Sequence, residues 1–459
     1  MLVQRTLERF FGISIRAQER RLVTFLSLDL FLMLTVYYIL KIVREPLILL
    51  EGGVVSRNAA RGAQAVILMA LVPLYGWLAN RMPPRRLVIV VLGFFLTSLL
   101  SFPLLGRLHV PMGFAFFVWL GIFSITAVAQ FWSLANDIFT EEQGKRLFPV
   151  IASGATVGAI VGSQIVVAAS RYLGPSGLIL VAASLLGGCI WLTQHVRHLA
   201  EAHGPETARE READPDTRGG FRLVLTDRYL LLIGLSILVL NLANTTGDQV
   251  MAMLVQKHAA TLPDKVARAQ FVMAFYGNFQ TWVSVLTAVM QVFVVGRVLR
   301  FAGVRASLLV LPMVAFAGYG LVALLPALFI TRGLKIFENS TEYSLNNTVQ
   351  QVLFLPTSRN AKYKGKAATD TFFVRFGDMA SWALVSLALH AGWGPRSLSL
   401  VNVGASVVWF GLALLLGLRY RKLAADADAA TAPALVTAGA GSPPKNLEFA
   451  TADDGVRHA

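Results

Sequence analysis

An ionisable side chain inside a stretch long and apolar enough to cross a bilayer is costly to place there, so each one marks a candidate site. The densest set is Arg332, Lys335, Glu338, Asn339, Glu342, Asn346 and Asn347, which recur every three or four residues through one such stretch. That spacing puts most of them on one stripe of a helix, and the stripe must face protein or water rather than lipid. A ladder within the helix, Lys335 with Glu338 or Glu342, would use the same spacing. Lys41 and Arg44, three apart and followed by Glu45, share a face near the end of the first apolar stretch, where they either line a site or snorkel to the interface. Asp370, Arg375 and Asp378 extend the pattern, and the last two are again three apart, which allows Asp378 either to meet substrate or to pair with Arg375. Cations drawn from both halves of the chain point to an anion, because a guanidinium grips phosphate or carboxylate through two parallel hydrogen bonds. The candidate substrate-binding set is therefore Lys41, Arg44, Asn136, Arg332, Lys335, Glu342, Asn346, Asn347, Arg375 and Asp378. Tyr37, Tyr38, Trp132 and Tyr276 offer rings on which a planar group would stack, or serve as packing.

The elements that hold these residues follow from composition. Of 459 residues 55% are hydrophobic and 15% charged, with a mean hydropathy of +0.61, which excludes a soluble globule. Twelve apolar stretches of about 20 residues recur, the length that spans roughly 30 Å of hydrocarbon as a helix. The fold class expected is an all-α integral membrane protein of twelve transmembrane helices in two six-helix bundles, 23–197 and 229–423. A basic amphipathic segment, 1–22, precedes them, a hydrophilic linker, 198–228, joins them, and a polar tail, 424–459, reads as disordered. With both termini in the cytoplasm, 28 of the 41 Lys and Arg fall on the inner side, 8 on the outer and 5 within spans, which sets that orientation. The formal charge of +15 is thus explained by topology and implies no nucleic acid. The single cysteine, Cys189, allows neither a disulfide framework nor a cysteine metal site.

The stretch from Phe131 to Ser163 reads as a helix end, a charged elbow and a second helix starting near 147. Asn136 and Asp137 fall where the first helix leaves the bilayer, and Lys145 or Arg146 is the nearest partner for a pair at that mouth. Gly154, Gly158 and Gly162 form a stripe without side chains on which another helix can approach, most simply as packing. Ser133-Leu-Ala-Asn-Asp137 has a counterpart 211 residues on in Ser344-Leu-Asn-Asn-Thr348, which suggests parallel repeats with the substrate path on their shared axis. Between the second and third stretches, Gly76-Trp-Leu-Ala-Asn-Arg-Met-Pro-Pro-Arg-Arg86 is similar to the basic loop of the major facilitator superfamily, with Asn80 in place of its usual aspartate.

The elbow, the run TVYYILKIVREPL and above all Lys364-Gly-Lys-Ala-Ala-Thr-Asp370 resemble the ATP/ADP translocases, nucleotide transporters of plastids and obligate intracellular bacteria. The resemblance covers about 23–420. It implies a twelve-helix carrier fold in a bacterial inner membrane, nucleotide exchange, a nucleotide as the small-molecule partner and no cofactor. The family's basic substrate contact falls on Arg44, with Lys41 at a second basic position, and the acidic residue of its elbow falls on Asp137. With Lys145, Arg146, Lys364, Lys366 and Asp370, Asp137 makes the expected gating set. Two positions depart from the pattern: Asp378 stands where the family has a lysine, and Asn244 where it has an acid, with Asp248 one turn on. A carrier for a carboxylate or another small metabolite, and a membrane anchor or sensor that transports nothing, are the competing readings. Catalysis finds no support, since no nucleophile elbow, metal cluster or P-loop frame is present. A single chain supplies both bundles, so a monomer is expected.

Overall fold

A bilayer forces each crossing to satisfy its own backbone hydrogen bonds, and the apolar stretches do so as helices. A computed structural model describes residue 16 and residues 19–81, 84–108, 110–202, 220–358 and 361–439. The long helices are α1 (Arg20–Glu51), α2 (Gly53–Arg81), α3 (Pro84–Arg107), α4 (Gly113–Ile138), α5 (Glu141–Ala169) and α6 (Pro175–Ala202) in the first half. A short α7 (Gly220–Thr226) leads into α8 (Arg228–Ala259), α9 (265–302), α10 (304–324), α11 (328–353), α12 (361–390) and α13 (Pro395–Gly439). Gly303, at φ +71°, separates α9 from α10, a conformation that costs a residue with a Cβ but not glycine. Twelve long helices thus lie where twelve apolar stretches place them. One of them, α11, falls short of the apolarity of a membrane span, and it carries buried polar residues of the site described below.

Local chemistry moves several boundaries. The fifth helix starts at Glu141 rather than near 147, because Thr140 Oγ1 accepts from Gln143 N while Gln143 Oε1 accepts from Thr140 N, a reciprocal cap. Pro149 consequently lies inside α5. The second helix starts at Gly53, well before hydrophobicity rises along it, and brings Arg57 into the protein interior at 2% exposure. Part of the linker is helical: α6 runs to Ala202, and Phe221 of α7 packs near Phe372, Phe373 and Phe376 of α12. The last helix continues to Gly439 through an alanine-rich stretch with high helix propensity, in place of the disorder expected from 424. Residues 1–15, 203–219 and 440–459, which hold most of the amphipathic segment, the linker centre and the end of the tail, lie outside the described residues.

The glycine stripe is a helix contact. A Cβ built on Gly154, Gly158 or Gly162 would lie 2.4, 2.3 or 2.6 Å from the carbonyl oxygens of Ser27, Phe31 and Thr35 on α1, so only glycine permits this approach of α5. Thr35 Oγ1 donates to Gly158 O at 3.3 Å across the same contact.

Call the end of the molecule that carries Arg20, Ile138 and Arg228 the near face, and the opposite end the far face. Several hydrogen bonds join the halves toward the far face. Asn58 donates to Trp382 O (3.2 Å) and Ser386 Oγ (2.9 Å), Val54 N to Gln256 Oε1 (2.9 Å), Gln249 Nε2 to Val54 O (2.8 Å) and Gln164 Nε2 to Thr281 Oγ1 (2.9 Å). At the near face, Arg146 with Glu19 at 2.6 Å, Tyr229 OH with Leu353 O at 2.8 Å, and Lys366 with Gln351 are contacts within one half. The hydrogen bonds between the halves thus join the bundles toward the far face.

Candidate functional site

Four helices, α1 and α2 from the first half and α8 and α11 from the second, bring their charges together midway through the molecule. Lys335, fully buried on α11, is the hub. Its Nζ lies 2.9 Å from Glu338 Oε2 and 3.2 Å from Asp248 Oδ1, and it donates to Asn244 O at 3.3 Å and to Asn244 Oδ1. Glu338 also accepts from Tyr319 OH at 2.8 Å, and Asn244 Nδ2 donates to Glu342 Oε2 at 2.8 Å. The second oxygen of Asp248 crosses to the other half and meets Arg61 Nη2 at 2.8 Å, while Arg61 Nη1 donates to Thr245 O at 3.0 Å. Beside it Arg57 Nε pairs with Glu45 Oε2 at 2.8 Å and Arg57 Nη1 donates to Gln249 Oε1 at 3.2 Å. Arg44 takes the other oxygen of Glu45 at 3.1 Å, with its guanidinium 4.2 Å from the centroid of Phe117. A buried charge persists only if paired and hydrogen bonded; Lys335, Glu338, Asp248, Arg61, Arg57, Glu45 and Arg44 are paired, and Glu342 is held by the Asn244 amide.

The cavity enclosed by these groups is lined by Lys41, Arg44, Glu45, Arg57, Asn244 and Asp248, and by Tyr276, Gln280, Asn339 and Tyr343. Lys41 differs from the other cations: among the described residues no carboxylate pairs with it, and its Nζ stands 5.2 and 5.8 Å from the ring centroids of Tyr38 and Tyr37. Tyr276 OH, Gln280 Nε2 and Asn339 Oδ1 are buried without hydrogen-bond partners on the same cavity wall. Buried polar atoms are nearly always satisfied, so this cluster of exceptions is what a polar ligand would complete.

Of the residues singled out by type and spacing, Lys41, Arg44, Lys335 and Glu342 meet at this centre. Arg375 and Asp378 pair with one another at 3.0 Å on α12, and Thr245 Oγ1 donates to Asp378 Oδ1 at 3.4 Å. Their pairing is the structural alternative raised by their spacing. Arg332 turns away into a groove between α9 and α11, its guanidinium 5.6 Å from the centroid of Phe275. Asn346 lines a separate small cavity with Ile233 and Trp409, and Asn347 is exposed. A π-helical turn, Glu342–Asn346, explains this: the extra residue rotates everything after Glu342 off the stripe that carries Lys335. Asn136 and Asp137 are exposed in the last turn of α4, and Lys364, Lys366 and Asp370 lie at the near end of α12. The side chain of Lys145, and those of Asn80, Arg85 and Arg86 in the basic loop, lie outside the described residues.

Arg57, Arg61, Asp248 and Gln249 do not belong to the candidate set taken from the sequence, although they hold the halves together. The signal for two of them was there: Gly52-Gly53 is a turn signal, and a helix starting behind it aligns Arg57, Arg61 and Gln64 on one face.

Two six-helix bundles meeting around a buried polar centre define a carrier of the major-facilitator-like fold. A crystal structure of the nucleoside transporter NupG superposes with a TM-score of 0.67 at 11% identity, covering 86% of this chain and 98% of that one. A bacterial homologue of the iron transporter ferroportin, in an inward-facing state, gives 0.62 at 12% identity over 86% of this chain and 98% of that one. The family described as TLC ATP/ADP transporter matches residues 114–323 and 315–410, and the chain belongs to it. Among relatives, "ADP,ATP carrier protein 1" of Chlamydia muridarum is 22% identical over 380 residues, 72% of this chain and 70% of that one. The protein of the same description from Chlamydia trachomatis is 22% identical over 55% of this chain and 54% of its own length. The "Plastidic ATP/ADP-transporter" of Solanum tuberosum is 22% identical over 66% of this chain and 53% of its own. The matched region thus spans from about half to about two thirds of these relatives.

Proposed function

We propose that the chain carries nucleotides across a bacterial inner membrane by alternating access, exchanging ATP and ADP or a related phosphorylated anion, with both termini in the cytoplasm and the monomer as the working unit. The observation that supports it best is the central cavity, where cations from both halves converge and Lys41 has no carboxylate partner among the described residues. A phosphate entering from the near face finds Lys41 first available, then competes with Glu45 for Arg44 and Arg57 and with Asp248 for Arg61. Tyr37 and Tyr38 are placed to stack a base beside Lys41, and Tyr276, Gln280 and Asn339 to bond sugar or base. Basic near-face loops support the cytoplasmic assignment of that face. Proteoliposomes loaded with ADP should take up labelled ATP, and omission of internal nucleotide should slow the uptake. Absence of both uptake and thermal stabilisation with every nucleotide tested would remove this reading.

One observation favours a second substrate class. Glu45, Asp248, Glu338 and Glu342 stand against Lys41, Arg44, Arg57, Arg61 and Lys335, a formal surplus of one positive charge. A poorly hydrated centre this close to neutral suits a phosphorylated metabolite or carboxylate of low charge better than a triphosphate. Sugar phosphates, dicarboxylates and nucleoside mono-, di- and triphosphates in one thermal-shift panel separate the two classes.

A further inference from the structure

A cavity of about 670 Å³ lies apart from the central one, in a groove on the side of the second half where α8, α9 and α11 meet near the far face. Its walls are mainly apolar. Trp282 and Phe329, 57% and 76% exposed, stand on it as they would against hydrocarbon. One strong charge interrupts this surface. Arg332 faces the groove, its Nε is buried without an acceptor, and among the described residues no carboxylate pairs with it. The central network makes no use of it, although it sits three residues from Lys335.

Position supplies the second half of the argument. Arg332 is four residues past the start of α11 at Leu328, roughly 6 Å along the axis, within snorkelling reach of a membrane surface. Above it the turn from α8 to α9 carries Lys257, His258, Lys265 and Arg268 against the single acid Asp264, whose side chain caps α9 through Ala267 N at 2.7 Å. Ring contacts run from this rim to the arginine: His258 to Phe271 at 4.8 Å, Phe271 to Phe275 at 6.1 Å, and Phe275 to the Arg332 guanidinium at 5.6 Å. A cation at headgroup depth, a basic rim above it and an apolar trough below match one kind of molecule. An anionic phospholipid has a phosphodiester for the first two and acyl chains for the third.

We propose that this groove binds an anionic phospholipid, with its phosphodiester held by Arg332 beneath the α8–α9 rim and its acyl chains along Trp282 and Ile336. The lipid would tie α8 and α9 to α11, the helix that carries Lys335. The test uses the full chain, purified in a neutral detergent and stripped of lipid. Phosphatidylglycerol should raise the melting temperature, whereas phosphatidylcholine and inorganic phosphate should not, and Arg332→Gln should raise the half-saturating phosphatidylglycerol concentration at least tenfold while Arg332→Lys preserves most of the response. Equal stabilisation by phosphatidylcholine would show an unselective apolar annulus, and stabilisation by inorganic phosphate a soluble-anion site; either overturns the proposal, as does an unchanged response in Arg332→Gln. Should Arg332→Gln fail to fold, photocrosslinking in the wild-type protein decides the matter. Phosphatidylglycerol with a diazirine on its acyl chain should label α9 and α11 around Trp282 and Ile336 in preference to the phosphatidylcholine analogue. Labelling elsewhere, or equally by both lipids, refutes the assignment.

Discussion

Asp248→Asn should loosen the far face. The carboxylate of Asp248 is shared by Lys335, buried in its own half, and by Arg61 of the other half, at 3.2 and 2.8 Å. Removing its charge leaves Lys335 with Glu338 at 2.9 Å and Asn244, but leaves Arg61 with only the Thr245 carbonyl at 3.0 Å. The cost therefore falls on the contact between the halves. Breaking a fully buried pair costs about 3–5 kcal/mol and an exposed one about 0–1. Asp248 is 27% exposed and Arg61 14%, so about 1–3 kcal/mol is the fitting magnitude, a shift of roughly 5- to 150-fold toward states open at the far face. Cysteine labelling reads this directly. In a Cys189→Ser background, Val54→Cys places a thiol at the far-face seam, where the backbone of residue 54 rather than its side chain bonds Gln249 and Gln256. A membrane-impermeant maleimide should react with this introduced thiol several-fold faster when Asp248→Asn is added, and Asp248→Glu should restore most of the protection. Unchanged labelling in a well-folded Asp248→Asn protein would refute the reasoning.

Three further outcomes are expected. Lys41→Gln should weaken binding of phosphorylated substrates by about 1.5–3 kcal/mol, the value of a charge-assisted contact, and leave the unphosphorylated nucleoside nearly unaffected in a calorimetric titration. Gly158→Leu should lower stability by about 1–3 kcal/mol or more, visible as a lower melting temperature, because its Cβ alone would lie 2.3 Å from Phe31 O and the contact is backbone rather than a movable side chain. Asp378→Lys should destabilise the protein by putting a cation beside Arg375, without reordering competition among mono-, di- and triphosphates. A stable variant with a changed order would instead place residue 378 against substrate.

The fold was legible because hydrophobic length is a strong signal: a run of apolar residues crosses a membrane or aggregates, and twelve such runs leave little choice of architecture. The centre was legible as far as Lys335, Glu338 and Glu342, whose three- and four-residue spacing survives until the π-helical turn at Glu342–Asn346 breaks the register. Spacing alone does not reveal that turn, and it assigns Asn346 and Asn347 to the wrong side of the helix. Arg57 and Arg61 escape detection for a different reason. A helix boundary drawn where hydrophobicity rises treats polar residues at a helix start as loop, yet at an interface between bundles those are the residues that carry the contact. The placement of Arg332 depends on which way a long side chain turns at the edge of a polar stripe, and that is decided by the Phe275 ring on a neighbouring helix.

The pairs around Lys335 divide into a part within one half and a part between the halves, and under the proposed function the division bears on how exchange would be enforced. Lys335, Glu338, Tyr319 and Asn244 all belong to the second half and keep their contacts however the halves are arranged. Arg61 with Asp248, and Arg57 with Gln249, cross between the halves and would be lost if the far face opened. Opening that face without a ligand leaves Arg61 and Arg57 short of partners in a poorly hydrated centre, whereas a bound phosphate supplies oxygens to both as they separate. Under the exchange reading the empty carrier is therefore the slow form. The interaction lost, again about 1–3 kcal/mol, sets net efflux roughly 5- to 150-fold below exchange. Asp248→Asn, by removing part of the same obstacle, should raise net efflux from loaded proteoliposomes more than it raises exchange. Equal rates of efflux and exchange in the unmodified protein would show that the far-face pairs do not hold the empty carrier back.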